Sequence, residues 1–312
     1  MLVAAAVCPH PPLIVPELAG AAAPELDGLR AACAAAIGAV LAVDHDLLVV
    51  VGSDERTRAY GGQAAGTLGP WGVDVRVGEG EPVLPLSLTI GRWLLARQPN
   101  TEAAGDPISQ PMTGAPGEPT SEAAGEPNAG APGEPVSQPT TGAPGEPISQ
   151  PTTGAPGEPT SEPTSEPTGG TAGGRGGTAA AGRGLMFQGV ASDASVAECL
   201  ALGAELVQGR RTALLVMGDG SACLTEKSPG YLHPAAVPYN EEIVRALAEA
   251  DTGALAAMDP AEAAALWVAG RAALQVLAGA AEGAALRPAL LDESSPYGVG
   301  YFVATWLEGR AP

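Results

Sequence analysis

Short apolar runs alternate with alanine-rich segments along this chain, and this alternation is the feature that most constrains its fold. The stretch "DLLVVVGSD", residues 46–54, holds an uninterrupted β-branched run, which is typical of a strand buried on both faces. Apolar runs at 2–8, 185–190 and 212–217 predict further strands, and the alanine-rich stretch 24–43 predicts a long amphipathic helix. Strands alternating with helices predict an α/β fold, with a central, mainly parallel or mixed sheet flanked by helices.

Local signals predict the ends of several helices. Ser87 is a candidate N-cap of a short helix, Ser192 of a helix that ends near residue 207, and Asn240 of the next helix. Glu241 and Glu242 follow Asn240 directly, so we interpret them as first-turn carboxylates that the helix dipole stabilises. The remaining predicted elements are a strand at 73–77, helices at 260–269 and 271–281, and a strand at the end of the tail "SPYGVGYFVATW".

A low-complexity segment, residues 98–184, interrupts this pattern. It holds 16 of the 31 prolines, and the hexapeptide "GAPGEP" occurs in it four times, beginning at Gly114, Gly130, Gly142 and Gly154. Frequent proline blocks helix, and a segment without large apolar side chains has nothing to bury. We therefore predict a disordered insert in a surface loop, with residues 1–97 and 185–312 forming the two parts of one domain.

The charge of the chain argues against two classes of partner. The formal net charge is −20, and neither the insert nor the rest of the chain carries a basic stripe. Binding to a phosphate backbone depends on lysine and arginine, so direct nucleic-acid binding is not expected. Anionic membrane surfaces are disfavoured for the same reason, and no apolar run approaches the roughly 20 residues that a membrane span needs.

Four cysteines indicate the compartment. Cys8, Cys33, Cys199 and Cys223 lie in apolar stretches without the CxxC spacing of a zinc or redox motif. They are predicted to be buried free thiols, which persist in a reducing environment. The first apolar run also lacks the basic residues that begin a secretory signal peptide. These features predict a cytoplasmic protein.

Three polar segments follow predicted strands. His10 follows the first strand, the turn Ser53-Asp54-Glu55 follows the run at 46–51, and the loop 218–231 follows the strand at 212–217. In open α/β sheets, ligands bind beyond the carboxyl ends of the strands. We therefore expect these three segments to face one cleft.

Five motifs in a fixed order resemble one family. They are "CPHPPLIVPEL", "LLVVVGSD", "VMGDGSACLTEKSPGY" with "PYNEEI", "AGRAALQVLAGAA" and "SPYGVGYFVA". Together they resemble the class III extradiol ring-cleavage dioxygenase superfamily, in particular its LigB-like and MEMO-like branches and the alanine-rich actinobacterial proteins with a LigB-like dioxygenase domain. The resemblance covers both globular parts and implies a LigB-like fold. In active members, two histidines and a carboxylate hold Fe(II), and a further histidine acts as acid and base.

The resemblance implies a degenerate metal site in this chain. His10 falls where the first ligand histidine is expected, but Asp54 or Glu55 stands where the second is expected. Ala222 occupies the most closely aligned position of the acid/base histidine. The third ligand is expected at or before "AGRAALQ", where Ala269 and Ala272 have no coordinating atom. The predicted metal candidates are therefore His10, Asp54 and Glu55. The alternative for His10, which lies between two prolines, is a structural histidine whose ring nitrogen bonds to a carbonyl.

The other cleft candidates are Ser221, Lys227 and Tyr231. Lys227 is the single lysine of the chain and could meet an anionic ligand, while the Tyr231 hydroxyl could orient it. A solvated loop is the alternative interpretation of these residues.

Two functions compete on these observations. We favour a non-catalytic ligand-binding or interaction module, which takes a small aromatic or anionic ligand and holds no metal, or a divalent cation only weakly. The alternative is an active Fe(II)-dependent extradiol dioxygenase that acts on a catechol-type aromatic with a rearranged ligand set. A third interpretation is a scaffold whose proline-rich insert binds a partner.

Overall fold

The structure is a computed structural model that describes residues 1–98 and 183–309. The predicted insert lies outside the described residues, apart from residues 98, 183 and 184. The strands of the described ranges are β1 (Leu2–Cys8), β2 (Leu47–Asp54), β3 (Arg58–Gly61), β4 (Gly66–Thr67), β5 (Arg76–Val77), β6 (Gly184–Ala191), β7 (Thr212–Met217), β8 (Leu286–Ser294) and β9 (Tyr301–Glu308). The α-helices are α1 (Pro16–Ala19), α2 (Asp27–Ala42), α3 (Leu86–Ala96), α4 (Val196–Leu206), α5 (Ala236–Glu249), α6 (Thr252–Ala256), α7 (Pro260–Ala265) and α8 (Arg271–Ala281).

Seven of these strands form one mixed sheet, in the order β3-β6-β2-β7-β1-β9-β8. The four central strands β6, β2, β7 and β1 run parallel to one another. Strand β3 is antiparallel to β6, β9 is antiparallel to β1, and β8 is antiparallel to β9. Strand β2 precedes the insert and its neighbour β6 follows it, so both parts of the chain build the same sheet. The α/β fold with a mixed sheet and flanking helices is confirmed.

The sheet separates two apolar clusters, and β2 contributes to both. Val49 and Val51 belong to the cluster that also contains residues of α4, α5 and α8, whereas Leu48 and Val50 belong to the cluster that contains residues of α2 and α3. Each of these four side chains is at most 7% exposed. A continuous apolar run is required because every position of a central strand between two helical layers is buried.

Helices α4 and α8 cross with their backbones in close contact, and a glycine on each helix permits it. A Cβ atom at Gly279 would lie 2.7 Å from the Cα atom of Leu200, and one at Gly203 would lie 2.7 Å from the backbone nitrogen of Ala280. This crossing fixes α8, and the segment that leads into α8 packs against the end of β7. The packing of two helices thus positions one wall of the site described below.

Several predicted helix starts are wrong. Helix α3 begins after Pro85, and the Ser87 hydroxyl instead donates a hydrogen bond to the carbonyl of Ser53 at 2.7 Å. Helix α4 is capped by Ser195, which forms a capping box with Glu198, rather than by Ser192. Asn240 lies inside α5, because that helix already begins at residue 236. Glu241 and Glu242 are therefore not first-turn carboxylates, and that interpretation is also wrong. A cap assignment from residue type alone cannot distinguish a capping side chain from one that bonds to another element.

Other boundaries also differ from the sequence prediction. The long helix starts at residue 27, since residues 20–26 form a 3-10 helix, and the strand predicted at 73–77 shrinks to β5. Helix α7 ends at residue 265, while α8 has the predicted bounds. Strands β3, β4 and β8 were not predicted. In the described part of the chain, none of the helices has both the length and the apolarity that crossing a membrane requires.

Candidate functional site

The candidate site lies where the parallel neighbours β1 and β7 end. Cys8 is paired with Met217 in the sheet, and His10 and Asp219 each follow two residues later. The backbone N–H of His10 donates a hydrogen bond of 2.8 Å to Oδ1 of Asp219, and the ring Nδ1 of His10 lies 3.6 Å from the same oxygen. The strand register therefore brings an imidazole and a carboxylate together at the carboxyl edge of the sheet.

Both side chains of this pair are nearly enclosed. His10 is 6% and Asp219 9% exposed. Burial raises the pKa of Asp219 above its ordinary value, and the interactions with His10 offset this rise in part. Nδ1 of His10 is buried and has no hydrogen-bond partner among the described residues. Buried polar atoms are normally paired, so this nitrogen marks a place where a further group could bind.

Glycines hold the loop of Asp219 in position. The N–H of Gly218 donates to the carbonyl of Cys8, and the N–H of Gly270 donates to the carbonyl of Asp219. A Cβ atom at Gly270 would lie 2.7 Å from that carbonyl oxygen, so the approach of the two segments requires glycine. On the other side, the N–H of Gly220 donates to the carbonyl of Gly300 at 2.8 Å.

Tyr301 forms part of the surroundings of Asp219. It is the first residue of β9 and is 3% exposed. Burial raises the pKa of its hydroxyl, and the negative charge of Asp219 raises it further. Sequence reasoning missed both residues. Asp219 could have been found, because it is an acidic residue between two glycines directly after a buried strand.

Asp54 is engaged by groups other than His10. Its carboxylate accepts hydrogen bonds from Nε of Arg58 at 3.0 Å, from the hydroxyl of Tyr60 at 2.5 Å and from the backbone N–H of Glu55 at 2.6 Å. Burial alone would raise the pKa of Asp54, but these hydrogen bonds bring it below its ordinary value. The carboxylate thus has charged and polar partners on β3 and its preceding turn. The Glu55 side chain is exposed to solvent.

Ser221 has a structural environment. It is fully buried, and its hydroxyl donates to the carbonyl of Leu266 at 2.7 Å and accepts from the N–H of Cys223 at 3.1 Å. Its backbone N–H donates to Oδ1 of Asn240 at 2.9 Å. These contacts tie the loop after β7 to α5 and to the end of α7.

Lys227 and Tyr231 both lie on the surface of the loop 218–231. Lys227 is exposed, and Tyr231 is 74% exposed with a left-handed φ of 61°. The four cysteines are buried free thiols, as predicted. Of the sequence candidates, His10 thus faces the acidic group Asp219, whereas Asp54 faces Arg58 and Tyr60.

The donor set of the site falls short of the two histidines and one carboxylate that usually hold Fe(II) in non-haem iron oxygenases. His10 and Asp219 supply one imidazole and one carboxylate. Ala222, Ala269 and Ala272 supply no donor atom. Within the described ranges, no group of three or more histidine, cysteine, aspartate or glutamate side chains is placed to hold a metal ion. The residues present do not complete the usual iron site.

No protein-family model matches this chain, and no curated protein matches it either. The likeness to the LigB-like proteins therefore depends on the order of the sequence motifs.

Proposed function

We propose that this chain is a LigB-like protein that binds a small, hydroxyl-bearing aromatic ligand or a small anion at the ends of β1 and β7, without cleaving it. The observation that carries this proposal is the buried Nδ1 of His10, which lies 3.6 Å from the Asp219 carboxylate and has no hydrogen-bond partner among the described residues. A protein interior rarely leaves such an atom unpaired unless another group completes it.

A phenolic hydroxyl matches the chemistry of this pair. It can donate a hydrogen bond to an Asp219 oxygen and share a second one with the His10 imidazole, which either donates or accepts according to its tautomer. An anion would instead receive a hydrogen bond from a protonated Nδ1. The low exposure of both side chains favours a ligand that inserts one small polar group.

An active Fe(II)-dependent dioxygenase with a rearranged ligand set is the second candidate. It is favoured by one observation, the meeting of an imidazole and a carboxylate, which are both usual ligands of ferrous iron. When bound, iron would supply the binding and activation of oxygen. The three alanines at the positions that the resemblance assigns to ligands and to the acid/base group weigh against this candidate.

The three histidines of the chain allow a direct test of ligand binding. Ring ¹⁵N signals of His10, His45 and His233 can be followed by NMR while catechol, and separately benzoate, is added. We expect the His10 signals alone to shift, and His10→Gln to abolish binding. His233→Gln, at an exposed position, is the matched control. Unchanged His10 signals at millimolar catechol and benzoate would refute the ligand-binding proposal.

Iron analysis separates the two candidate functions. After anaerobic purification with excess iron, we expect well under one iron per chain and no oxygen uptake with catechol. Stoichiometric iron, together with oxygen uptake and a ring-opened yellow product, would establish the dioxygenase instead.

The cytoplasm is the compartment that we propose for this protein. Its four cysteines are all buried free thiols, a state that a reducing compartment maintains.

A further inference from the structure

A cavity lies between α5, α6 and α7, and the residues that line it belong to none of the segments of the His10 site. Its volume is about 240 Å³. Ile243, Leu255 and Met258 give it an apolar wall, and Tyr239, Glu242 and Glu262 give it polar groups. Small-molecule sites commonly combine an apolar lining with a few converging polar groups.

Tyr239 is the unusual residue of this cavity. It is 7% exposed, and its hydroxyl is buried without a hydrogen-bond partner in the part of the chain that the structure describes. Burial raises the pKa of this hydroxyl to about 12, the negative charges of Glu262, Asp259 and Glu242 contribute to the rise, and the positive charge of Arg271 opposes it in part. The hydroxyl therefore lies within the field of the carboxylates that line the cavity. A buried tyrosine hydroxyl normally has a partner, so this oxygen can accept a hydrogen bond from a group that enters the cavity.

The charges around the cavity are unbalanced. Among the described residues that line it, the cation is Arg245, which lies 3.6 Å from Glu249 and 3.5 Å from Asp251. The guanidinium of Arg271, which also acts on the Tyr239 hydroxyl, donates to the carbonyls of Ser192 and Ala194. Oδ1 of Asp259 accepts hydrogen bonds from the first turn of α7. The carboxylates of Glu242 and Glu262 take part in no ion pair among the described residues, so they leave a local excess of negative charge.

We propose that this cavity binds a small organic cation, a primary alkylammonium. An ammonium group has three hydrogen-bond donors, which match two carboxylates and the oxygen of the Tyr239 hydroxyl. The alkyl chain would lie against Ile243, Leu255 and Met258. A hydrated metal ion fits less well, because it would leave this apolar wall without a contact. The site is independent of the His10 site and of the function proposed there.

Calorimetric titration with n-butylammonium, with n-butanol as the neutral match, tests the proposal. Because the whole chain is acidic, the titration is done at about 150 mM salt, where interactions between exposed charges are largely screened. We expect butylammonium to bind at one site per chain and butanol to bind at least tenfold more weakly. Tyr239→Phe and Glu262→Gln should each weaken butylammonium binding about tenfold, the usual effect of losing one hydrogen bond to a charged group.

Glu241→Gln is the control variant. Glu241 is the neighbour of Glu242 in α5, but it lines a different cavity beside Asn240 and Glu293. The control removes the same charge from the same helix and should leave the affinity within twofold of the wild type. Glu262 is exposed, so Glu262→Gln should fold like the wild type. If Tyr239→Phe does not fold, the comparison of Glu262→Gln with Glu241→Gln still tests the proposal. Equal weakening by Glu241→Gln and Glu262→Gln, equal affinity for butanol, or no binding at millimolar butylammonium would each overturn the proposal.

Discussion

Replacing Gly279 with alanine should destabilise the protein by about 2 kcal/mol, because the added methyl group has no room at the crossing of α4 and α8. A Cβ atom at this position would lie 2.7 Å from both the Cα atom and the carbonyl carbon of Leu200, and closer still to the carbonyl oxygen. These are backbone atoms of α4, so no flexible side chain can move away. The two helices must separate instead, and the packing beside Gly203 is lost with them.

The magnitude follows from two opposing effects. Forcing an extra methyl group into a packed interior costs about 1–3 kcal/mol, and more where backbone must move. Alanine in a helix recovers up to about 1 kcal/mol relative to glycine. Since the obstructing atoms are all backbone, we place the steric cost at or above the upper end of its range, which leaves a net loss of about 2 kcal/mol.

Gly28→Ala is the matched control for this prediction. Gly28 lies in α2, and beyond its chain neighbours and the nearby backbone of its own helix, a Cβ atom there would have no atom within 4 Å. The same substitution should therefore stabilise the protein by about 0.5–1 kcal/mol. Urea unfolding followed by circular dichroism measures both changes. The reasoning is refuted if Gly279→Ala is as stable as the wild type, or if the two substitutions change stability in the same direction.

Three further predictions concern polar contacts. Asp54→Asn should cost about 1–3 kcal/mol at neutral pH, because it weakens the bonds from Arg58 and Tyr60. The pKa of Asp54 in the folded protein is below its ordinary value of 3.8. The contribution of the Asp54 carboxylate to stability should therefore be complete above pH 3.8 and disappear as the pH falls below this value. Urea midpoints that differ by the same amount between wild type and Asp54→Asn at low and neutral pH would contradict this. Ser195→Ala should cost about 1 kcal/mol because the capping box is lost, whereas Ser192→Ala should change the thermal midpoint little. A larger loss of thermal stability in Ser192→Ala than in Ser195→Ala would show that Ser192 is the cap of this helix after all. Asn240→Ala should cost about 1–3 kcal/mol because the buried N–H of Ser221 loses its acceptor. Hydrogen exchange of the Ser221 amide should therefore become faster. An unchanged exchange rate would show that another group accepts this hydrogen bond in place of Asn240.

The candidate site was predictable only in part. His10 and the loop 218–231 were expected at the carboxyl edge because each follows a buried strand. The choice of Asp54 as a companion of His10 was reasonable by the same rule, yet its carboxylate bonds to Arg58 and Tyr60. A strand end has two sides, and the local sequence does not specify toward which neighbouring strand a side chain turns.

The sequence by itself determined the α/β class, the burial of β2 on both faces and the extent of α8, because apolar periodicity reports burial along a single element. The tertiary structure alone decided the pairing of His10 with Asp219, since these residues meet only when β1 and β7 become parallel neighbours. It also decided strand β8, whose residues alternate between half-buried and exposed and contain a proline. Such an edge segment becomes a strand through its hydrogen bonds to β9, and those bonds form between residues that local sequence patterns do not relate.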